Sequence, residues 1–302
     1  MKPLPTSLVP RLLSTLILWG LIIAVVTVKW EIGYCLLIVG AALGSLWEYF
    51  WLLKVSALPR NWRIGYTAGI SLLLGNCWLL QCAHGSSCLT AGGGMIFAFD
   101  AGVIIVTILV LFFREFLRPQ HVERASAEGI AFTLFGVAYI PWLLSFLLKI
   151  LYLTPRTSSG MMTGTYYVLF LLVLTKFADV GAFLCGSLFG KHLFCPNISP
   201  KKTWEGFFGA LLFSLVTSFI FYFIFRQQLS LFTPGIVIML SLGLAPVGIA
   251  GDLAESLLKR SLCTKDSSHT LPGIGGGLDL IDSLLFTGPL FFFVLQFFLM
   301  RS

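Results

Sequence analysis

The sequence contains little charge: only 11% of its 302 residues are charged, whereas 57% are hydrophobic. Soluble globular domains carry about 25% charged residues, so this chain cannot cover a water-facing surface with polar side chains. Apolar runs of roughly 18 residues or more recur along it, and that length crosses the hydrocarbon core of a bilayer. We therefore predict an all-α polytopic membrane bundle rather than a soluble domain. A membrane β-barrel, which needs short alternating segments, is also excluded.

About nine transmembrane helices are predicted from the apolar runs. No small-residue cleavage site follows the first run, so we interpret it as a helix and not as a signal peptide. The sixth run is longer than one plain span requires, so we expect a break near residues 179–181. The predicted helices are 12–28, 32–53, 64–80, 95–113, 130–153, 161–189, 207–225, 231–250 and 284–300.

Several common functional patterns are missing. The seven cysteines form no CxxC pair or metal-ligand pattern; Cys82 and Cys88 could form a disulfide, although free thiols are favoured. No GxxxxGK[ST] occurs, which excludes a P-loop. The net charge of +7 comes from basic residues scattered among loops, so no basic domain exists to hold nucleic acid.

The distribution of basic residues predicts the orientation of the chain. With a cytoplasmic N-terminus, cytoplasmic segments hold fourteen Lys and Arg residues and the opposite side holds five, which agrees with the positive-inside rule. The two most polar loops, 190–205 and 251–283, then lie on the cytoplasmic side. We divide the chain into a non-diagnostic helical scaffold at 1–160 and a catalytic region at 161–302, together forming one membrane domain.

The stretch GDLAESLLKR contains a polar stripe. If the eighth helix continues through it, Asp252, Glu255, Ser256 and Lys259 fall on one face. Charged side chains avoid hydrocarbon, so this face must meet protein, a wet cavity or the cytosol. The alternative is a solvated helix end with an ordinary pair between Glu255 and Lys259.

The stretch LPGIGGGLDLIDS combines glycines with two acids. Glycines such as Gly275 and Gly276 interrupt a helix and let backbone amides approach a phosphate closely. Asp279 and Asp282 follow one helical turn apart and could hold Mg²⁺, which binds through carboxylates and substrate phosphates. In isolation, the two acids would instead be interpreted as complementing a helix N-terminus.

A third polar element precedes the seventh predicted helix. Asp179 lies inside an apolar run, and an intramembrane acid indicates a functional site. Ser199 or Thr203 could cap the following helix and leave its N-terminus for a phosphate. Four basic residues supply positive charge for a polyanion or for anionic lipid, namely Lys191, His192, Lys201 and Lys202.

Two further acids, Glu48 and Asp100, also lie in apolar runs. For both we favour a structural role, hydrogen-bonded within the bundle.

The C-terminal stretch resembles the phosphatidate cytidylyltransferases, the CDP-diacylglycerol synthases. That family carries S-x-x-K-R, four residues, K-D, and then P-x-H-G-G-x-x-D-R-x-D. GDLAES, FGKH and SPKKTWEG also resemble the bacterial enzymes, and the resemblance is strongest over 176–289. The residues that match at the family's spacing are Ser256, Lys259, Arg260, Lys265, Asp266, Pro272, Gly275, Gly276, Asp279 and Asp282.

The resemblance implies the reaction of CTP with phosphatidate to give CDP-diacylglycerol and pyrophosphate. It implies a location in the bacterial inner membrane, a homodimer and Mg²⁺, with a second monovalent or divalent cation left open. Asp252, Asp279 and Asp282 would hold the metal, and Asp179 would orient a cation or a metal-bound water. The remaining roles are phosphate binding by Lys259, Arg260 and Lys265 with Asp266 beside them, and a substrate path along Lys191, Ser199, Lys202, Thr203, Ser256, Gly275 and Gly276.

The sequence departs from the family pattern twice. Ile274 replaces the usual His, and Leu280 replaces the usual Arg. We favour a divergent active enzyme, because the presumed metal acids remain. The alternatives are a CTP-dependent polyprenol kinase and a membrane transporter whose intramembrane acids form an ion path.

Overall fold

The computed structural model describes residues 20, 31–83, 89–117, 124–153, 164–262 and 276–301, and these are almost entirely helical. The elements, in chain order, are α1 (Glu31–Val55), α2 (Trp62–Ala83), α3 (Leu89–Phe116), α4 (Arg124–Val137), a π-helical turn (Ala138–Trp142), α5 (Leu143–Leu153), α6 (Gly164–Phe189), β1 (Leu193–Cys195), β2 (Ser199–Thr203), α7 (Trp204–Ile224), α8 (Pro234–Ser261) and α9 (Gly277–Arg301).

Seven described helical segments are long and apolar enough to cross a membrane, with α4, the π-helical turn and α5 forming one of them. The protein is therefore an all-α integral membrane protein. The first predicted helix, 12–28, lies almost entirely outside the described residues. The third, 64–80, is helical as α2 but is not among the seven. The count of nine transmembrane helices stays a prediction.

The break predicted near residues 179–181 is wrong. Helix α6 continues without interruption for 26 residues, about 39 Å. Gly181 does not end the helix, because it lies where α6 meets α7: a Cβ atom there would be 2.5 Å from the carbonyl oxygen of Gly209. Small residues at such crossings let membrane helices pack closely.

The polar loop predicted at 190–205 folds into a β-hairpin, the one described exception to the helical architecture. Strands β1 and β2 pair antiparallel, with Leu193 opposite Thr203 and Cys195 opposite Ser199. The hairpin fills the connection between α6 and α7.

The chain forms two compact units. Unit 1 draws on Met1–Ser145 and Ser261–Ile281, and unit 2 on Phe146–Arg260 and Asp282–Ser302. Helix α9 therefore begins in unit 1 and continues in unit 2. The division at residue 160 expected from the sequence stays a prediction.

Polar groups inside unit 1 are paired across helices. The Tyr49 hydroxyl in α1 donates a 2.9 Å hydrogen bond to the carbonyl oxygen of Phe132 in α4. The buried Asn76 side-chain amide in α2 donates to the carboxylate of Asp100 in α3 at 2.7 Å. Pairing of this kind satisfies groups that lipid cannot, and it agrees with the structural role favoured for Asp100.

Unit 2 is held together by aromatic rings and by small residues. The ring of Phe170 in α6 lies 5.0 Å from that of Phe232 and 6.1 Å from that of Phe291. A second buried cluster, containing Ala178 and Ala245, has Phe194 of the hairpin packed against it. This second cluster lies beneath the polar side chains described next.

Candidate functional site

The polar stretch after residue 250 belongs to helix α8. The helix ends at Ser261 and has 28 residues, which corresponds to about 42 Å, whereas the hydrocarbon core is about 30 Å thick. The condition for the polar stripe is therefore met, and Asp252, Glu255 and Lys259 share one face of its last turns. An unbroken helix carries them from the membrane towards its border.

Helix α9 begins at Gly277 rather than at residue 284, so Asp279 and Asp282 lie in its first two turns. Within unit 2, α8 and α9 approach closely at Gly251: a Cβ atom there would be 2.6 Å from the carbonyl oxygen of Asp282 and 3.1 Å from Cα of Ser283. Only glycine allows this separation, and it brings acids of the two helices together.

Three carboxylates converge at this crossing: oxygen atoms of Asp252, Glu255 and Asp282 all lie within 4.8 Å of one another. Glu255 is 2% exposed and Asp282 6%, whereas the side chain of Asp252 is 38% exposed. Carboxylates this close repel one another unless a cation or a shared proton neutralises them. The arrangement therefore suits a cation.

Lysines flank the carboxylates. Lys202 of β2 lies 2.8 Å from the carboxylate of Asp252 and also donates to the carbonyl oxygen of Ile249 at 3.3 Å. Lys259 lies 2.9 Å from the carboxylate of Glu255, one turn along α8. Two ammonium groups thus stand beside the acids, where phosphate oxygens could exchange for carboxylates as their partners.

A third ion pair lies on the neighbouring helix α6. Lys176 and Asp179 are 3.6 Å apart, one turn from each other, with both side chains partly exposed. Asp179 therefore has a basic partner, as expected for an acid inside an apolar helix.

The hairpin is attached to helices at both of its ends. Arg260 of α8 donates a 2.8 Å hydrogen bond to the carbonyl oxygen of Asn197 in the turn. Thr203 is the N-cap of α7 and accepts a 3.1 Å hydrogen bond from the amide of Gly206, which confirms one of the two predicted caps. The hairpin is thus fixed to α7 and α8.

A cavity of about 240 Å³ opens beside these pairs. Its polar side is formed by side chains including Asp179, Lys202 and Asp252, and its apolar side by rings including Phe183, Phe194 and Phe207. Charge on one side and rings on the other match a molecule with a phosphate and an apolar part.

The other predicted site residues occupy several places. Asp279 accepts a 2.8 Å hydrogen bond from the amide of Gly276, the reciprocal half of a helix capping box. Lys191 is exposed between α6 and β1, whereas Ser199 at the start of β2 and Ser256 on α8 are half-buried. Three predicted residues lie outside the described residues: Lys265, Asp266 and Gly275.

Two residues of the arrangement were not among the predicted site residues. Glu255 was noted in the polar stripe but could be explained there by its pair with Lys259, and the pair is real. The signal that could have identified it is its position one turn from Asp252. Lys176, the partner of Asp179, stands in an apolar run three residues earlier and could have been found in the same way.

The sequence profile of the cytidylyltransferase family matches residues 9–298 of the chain. The chain belongs to the cytidylyltransferase family. The family resemblance predicted from the motifs is thereby confirmed.

Curated relatives include two proteins named phosphatidate cytidylyltransferase. That of Staphylococcus saprophyticus is 36% identical over 168 residues, covering 56% of this chain and 60% of the relative. That of Haemophilus influenzae is 41% identical over 138 residues, covering 44% and 48%. An uncharacterized protein of Escherichia coli is 34% identical over 179 residues, covering 59% and 55%. The chain thus spans about half to three fifths of these relatives' length.

One of the two departures from the family pattern can be located in the structure. Leu280 is half-buried in the first turn of α9, between Asp279 and Ile281. Ile274 lies outside the described residues.

Proposed function

We propose that this member of the cytidylyltransferase family transfers the CMP group of CTP to phosphatidate, giving CDP-diacylglycerol and pyrophosphate. The observation that carries the proposal is the cluster of Asp252, Glu255 and Asp282 with lysines beside it, at the end of membrane-spanning helices. Such a cluster suits a polyanionic nucleotide that meets a lipid at the membrane border. The names of the curated relatives point to the same reaction.

The cluster fits a magnesium ion. Mg²⁺ prefers oxygen ligands at about 2.0–2.1 Å, so its ligands are separated by about 3 to 4.2 Å. The observed limit of 4.8 Å is a small side-chain rotation away from that range. We propose that Asp252, Glu255 and Asp282 hold the ion, with Asp279 as a further ligand. When bound, the ion would neutralise charge on the triphosphate and on the departing pyrophosphate.

In the proposed reaction an oxygen of the phosphatidate phosphate attacks the α-phosphorus of CTP. The bond from the α-phosphorus to the bridging oxygen breaks, and its electron pair leaves with pyrophosphate. The attacking phosphate is already an anion, so no side chain has to remove a proton. The chain's contribution is positioning and charge stabilisation.

The basic residues would bind phosphates in this scheme. Lys202 and Lys259, now paired with acids, would turn to phosphate oxygens as the substrates bind. Arg260 would keep the hairpin on α8 through its bond to Asn197 while its charge attracts the nucleotide. Phosphatidate would place its headgroup beside Lys202 and its apolar part along the rings of the cavity.

We further propose that the protein resides in a bacterial inner membrane with its N-terminus and the site on the cytoplasmic side. The asymmetry of basic residues supports this orientation, and CTP is a cytosolic compound. A homodimer, implied by the family resemblance, is part of the same proposal.

The test uses purified protein in detergent–phosphatidate micelles with Mg²⁺ and labelled CTP. Lipid-bound CMP and pyrophosphate should form in equal amounts, and Asp252→Asn should abolish both. Glu128→Gln is the matched control, because Glu128 is an acid paired with Arg124 on a different helix. Release of CDP with a phosphorylated polyprenol would establish a kinase instead. Ion flux through vesicles without CTP turnover would establish a transporter.

A further inference from the structure

Glu48 is a buried carboxylate in the middle of the apolar helix α1. It is 3% exposed, and its Oε2 atom accepts a 3.0 Å hydrogen bond from the backbone amide of Leu278, 230 residues away in the sequence. Leu278 lies in the first turn of α9. A buried acid of one helix therefore binds the beginning of another, and both residues belong to unit 1.

The first amides of a helix have no partner within the helix, and the partial positive charge there favours an anion. At the beginning of α9, Asp279 satisfies the amide of Gly276 at 2.8 Å, and Glu48 satisfies the amide of Leu278. One carboxylate comes from α9 itself and the other from α1. The acid of α1 thereby fixes where the first turn of α9 lies.

Gly277 shows how closely the two helices approach at this point. A Cβ atom on Gly277 would lie 3.3 Å from Oγ of Ser45 and 3.5 Å from Oε2 of Glu48. The first distance is tighter than ordinary van der Waals contact, so even a methyl group would press on α1. The beginning of α9 is thus held by a hydrogen bond and by close packing.

We propose that Glu48 is a positioning residue for the acids of α9. By holding the first turn, it sets the direction in which the helix carries Asp279 and, one turn farther, Asp282. The inference rests on the proposed function only in that these acids serve metal-assisted transfer. Glu48 itself touches neither substrate nor metal in this scheme.

The first experiment is independent of activity. Hydrogen exchange followed by mass spectrometry should show faster exchange in the peptide containing Leu278 for Glu48→Leu than for the parent protein. Glu48→Gln keeps an oxygen acceptor and should retain most of the protection. Asp100→Asn is the matched control, since Asp100 is 2% exposed in unit 1 and bonds Asn76 rather than α9. Unchanged exchange in Glu48→Leu would overturn the proposal.

The second experiment separates positioning from simple support of the fold. Mn²⁺ binding measured by electron paramagnetic resonance without substrates should weaken about tenfold in Glu48→Leu, the range seen when partners of metal ligands are removed. In the transfer assay kcat should fall and KM for phosphatidate should stay, with Glu48→Gln close to the parent and Asp100→Asn unchanged. Faster exchange with unaltered Mn²⁺ affinity and kcat would show that Glu48 only supports the fold, and would overturn the proposal.

Failure of the proposed function would look different. If the parent protein neither binds Mn²⁺ nor transfers CMP, the metal-assisted transferase is refuted and the positioning role falls with it, whatever the exchange data show. Should Glu48→Leu fail to fold, Glu48→Gln and Gly277→Ala replace it. Gly277→Ala should speed exchange at Leu278 and weaken Mn²⁺ binding, and parent-like values in both variants would overturn the proposal.

Discussion

The ammonium group of Lys202 lies 2.8 Å from the carboxylate of Asp252. This pair joins strand β2 to helix α8 at the edge of the carboxylate cluster. Because both side chains are partly exposed, the pair adds little to stability, but it keeps a cation within reach of any phosphate that arrives there. A short polar connection is thereby made part of the candidate active site.

Removing this cation should weaken nucleotide binding. For Lys202→Met we expect KM for CTP to rise about tenfold, because one charge-assisted hydrogen bond to phosphate is worth on that order. The transfer assay at varied CTP measures the change. Arg226→Met removes one positive charge from the exposed turn after α7 and should behave as the parent. Equal KM values for the two variants would contradict a direct phosphate contact.

Glu255→Gln should reduce both transfer and metal binding. We expect kcat/KM to fall about a hundredfold or more, since loss of a ligand removes charge stabilisation in the transition state. Mn²⁺ titration by electron paramagnetic resonance should show weaker binding at the same time. The conservative control is again Glu128→Gln, whose parent side chain pairs with Arg124 at 2.7 Å. Normal Mn²⁺ binding by Glu255→Gln would remove Glu255 from the metal site.

Gly251→Ala should separate α8 from α9. The new methyl group would meet the backbone at Asp282 and Ser283, which cannot rotate away, so we expect destabilisation of about 1–3 kcal/mol together with loss of transfer. Thermal unfolding in detergent measures the first effect. Gly243→Ala lies on the same helix with nothing within 4 Å of the new atom and should unfold at or above the parent temperature. Similar behaviour of both variants would refute the close approach.

Asp279→Asn distinguishes a helix cap from a metal ligand. Asparagine can still accept the hydrogen bond from Gly276, so a capping role alone predicts nearly normal stability and transfer. As a metal ligand, Asp279 predicts normal unfolding with transfer lowered about tenfold or more. We expect the second result, and parallel unfolding and transfer measurements decide between them.

The sequence predicts the membrane helices well where apolar runs stand alone. It fails at boundaries where charge and helix coexist: the apolar pattern stops near residue 250, but α8 continues to Ser261, because its acids and lysine fall on one face and need not contact lipid. It also fails at Gly181, which suggests a break in isolation. Only the partner Gly209 on another helix explains why α6 continues there.

The candidate site is predictable in its residue types but not in its geometry. Motif spacing identifies Asp252 and Asp282 as acids of one site, yet the cluster with Glu255 depends on the approach of two helices at Gly251. The bond from Leu278 to Glu48 crosses 230 residues, and no local pattern contains it. Long-range contacts of this kind arise from packing, which a single sequence does not display.

The contact between Arg260 and the hairpin turn has a consequence for how the sequence can drift. Arg260 binds the carbonyl oxygen of Asn197, an atom that every amino acid provides. Substitution at position 197 can therefore leave the bond intact, whereas substitution at position 260 removes it. Natural variation and inserted labels should accordingly be tolerated in the turn while the arginine that holds it is retained.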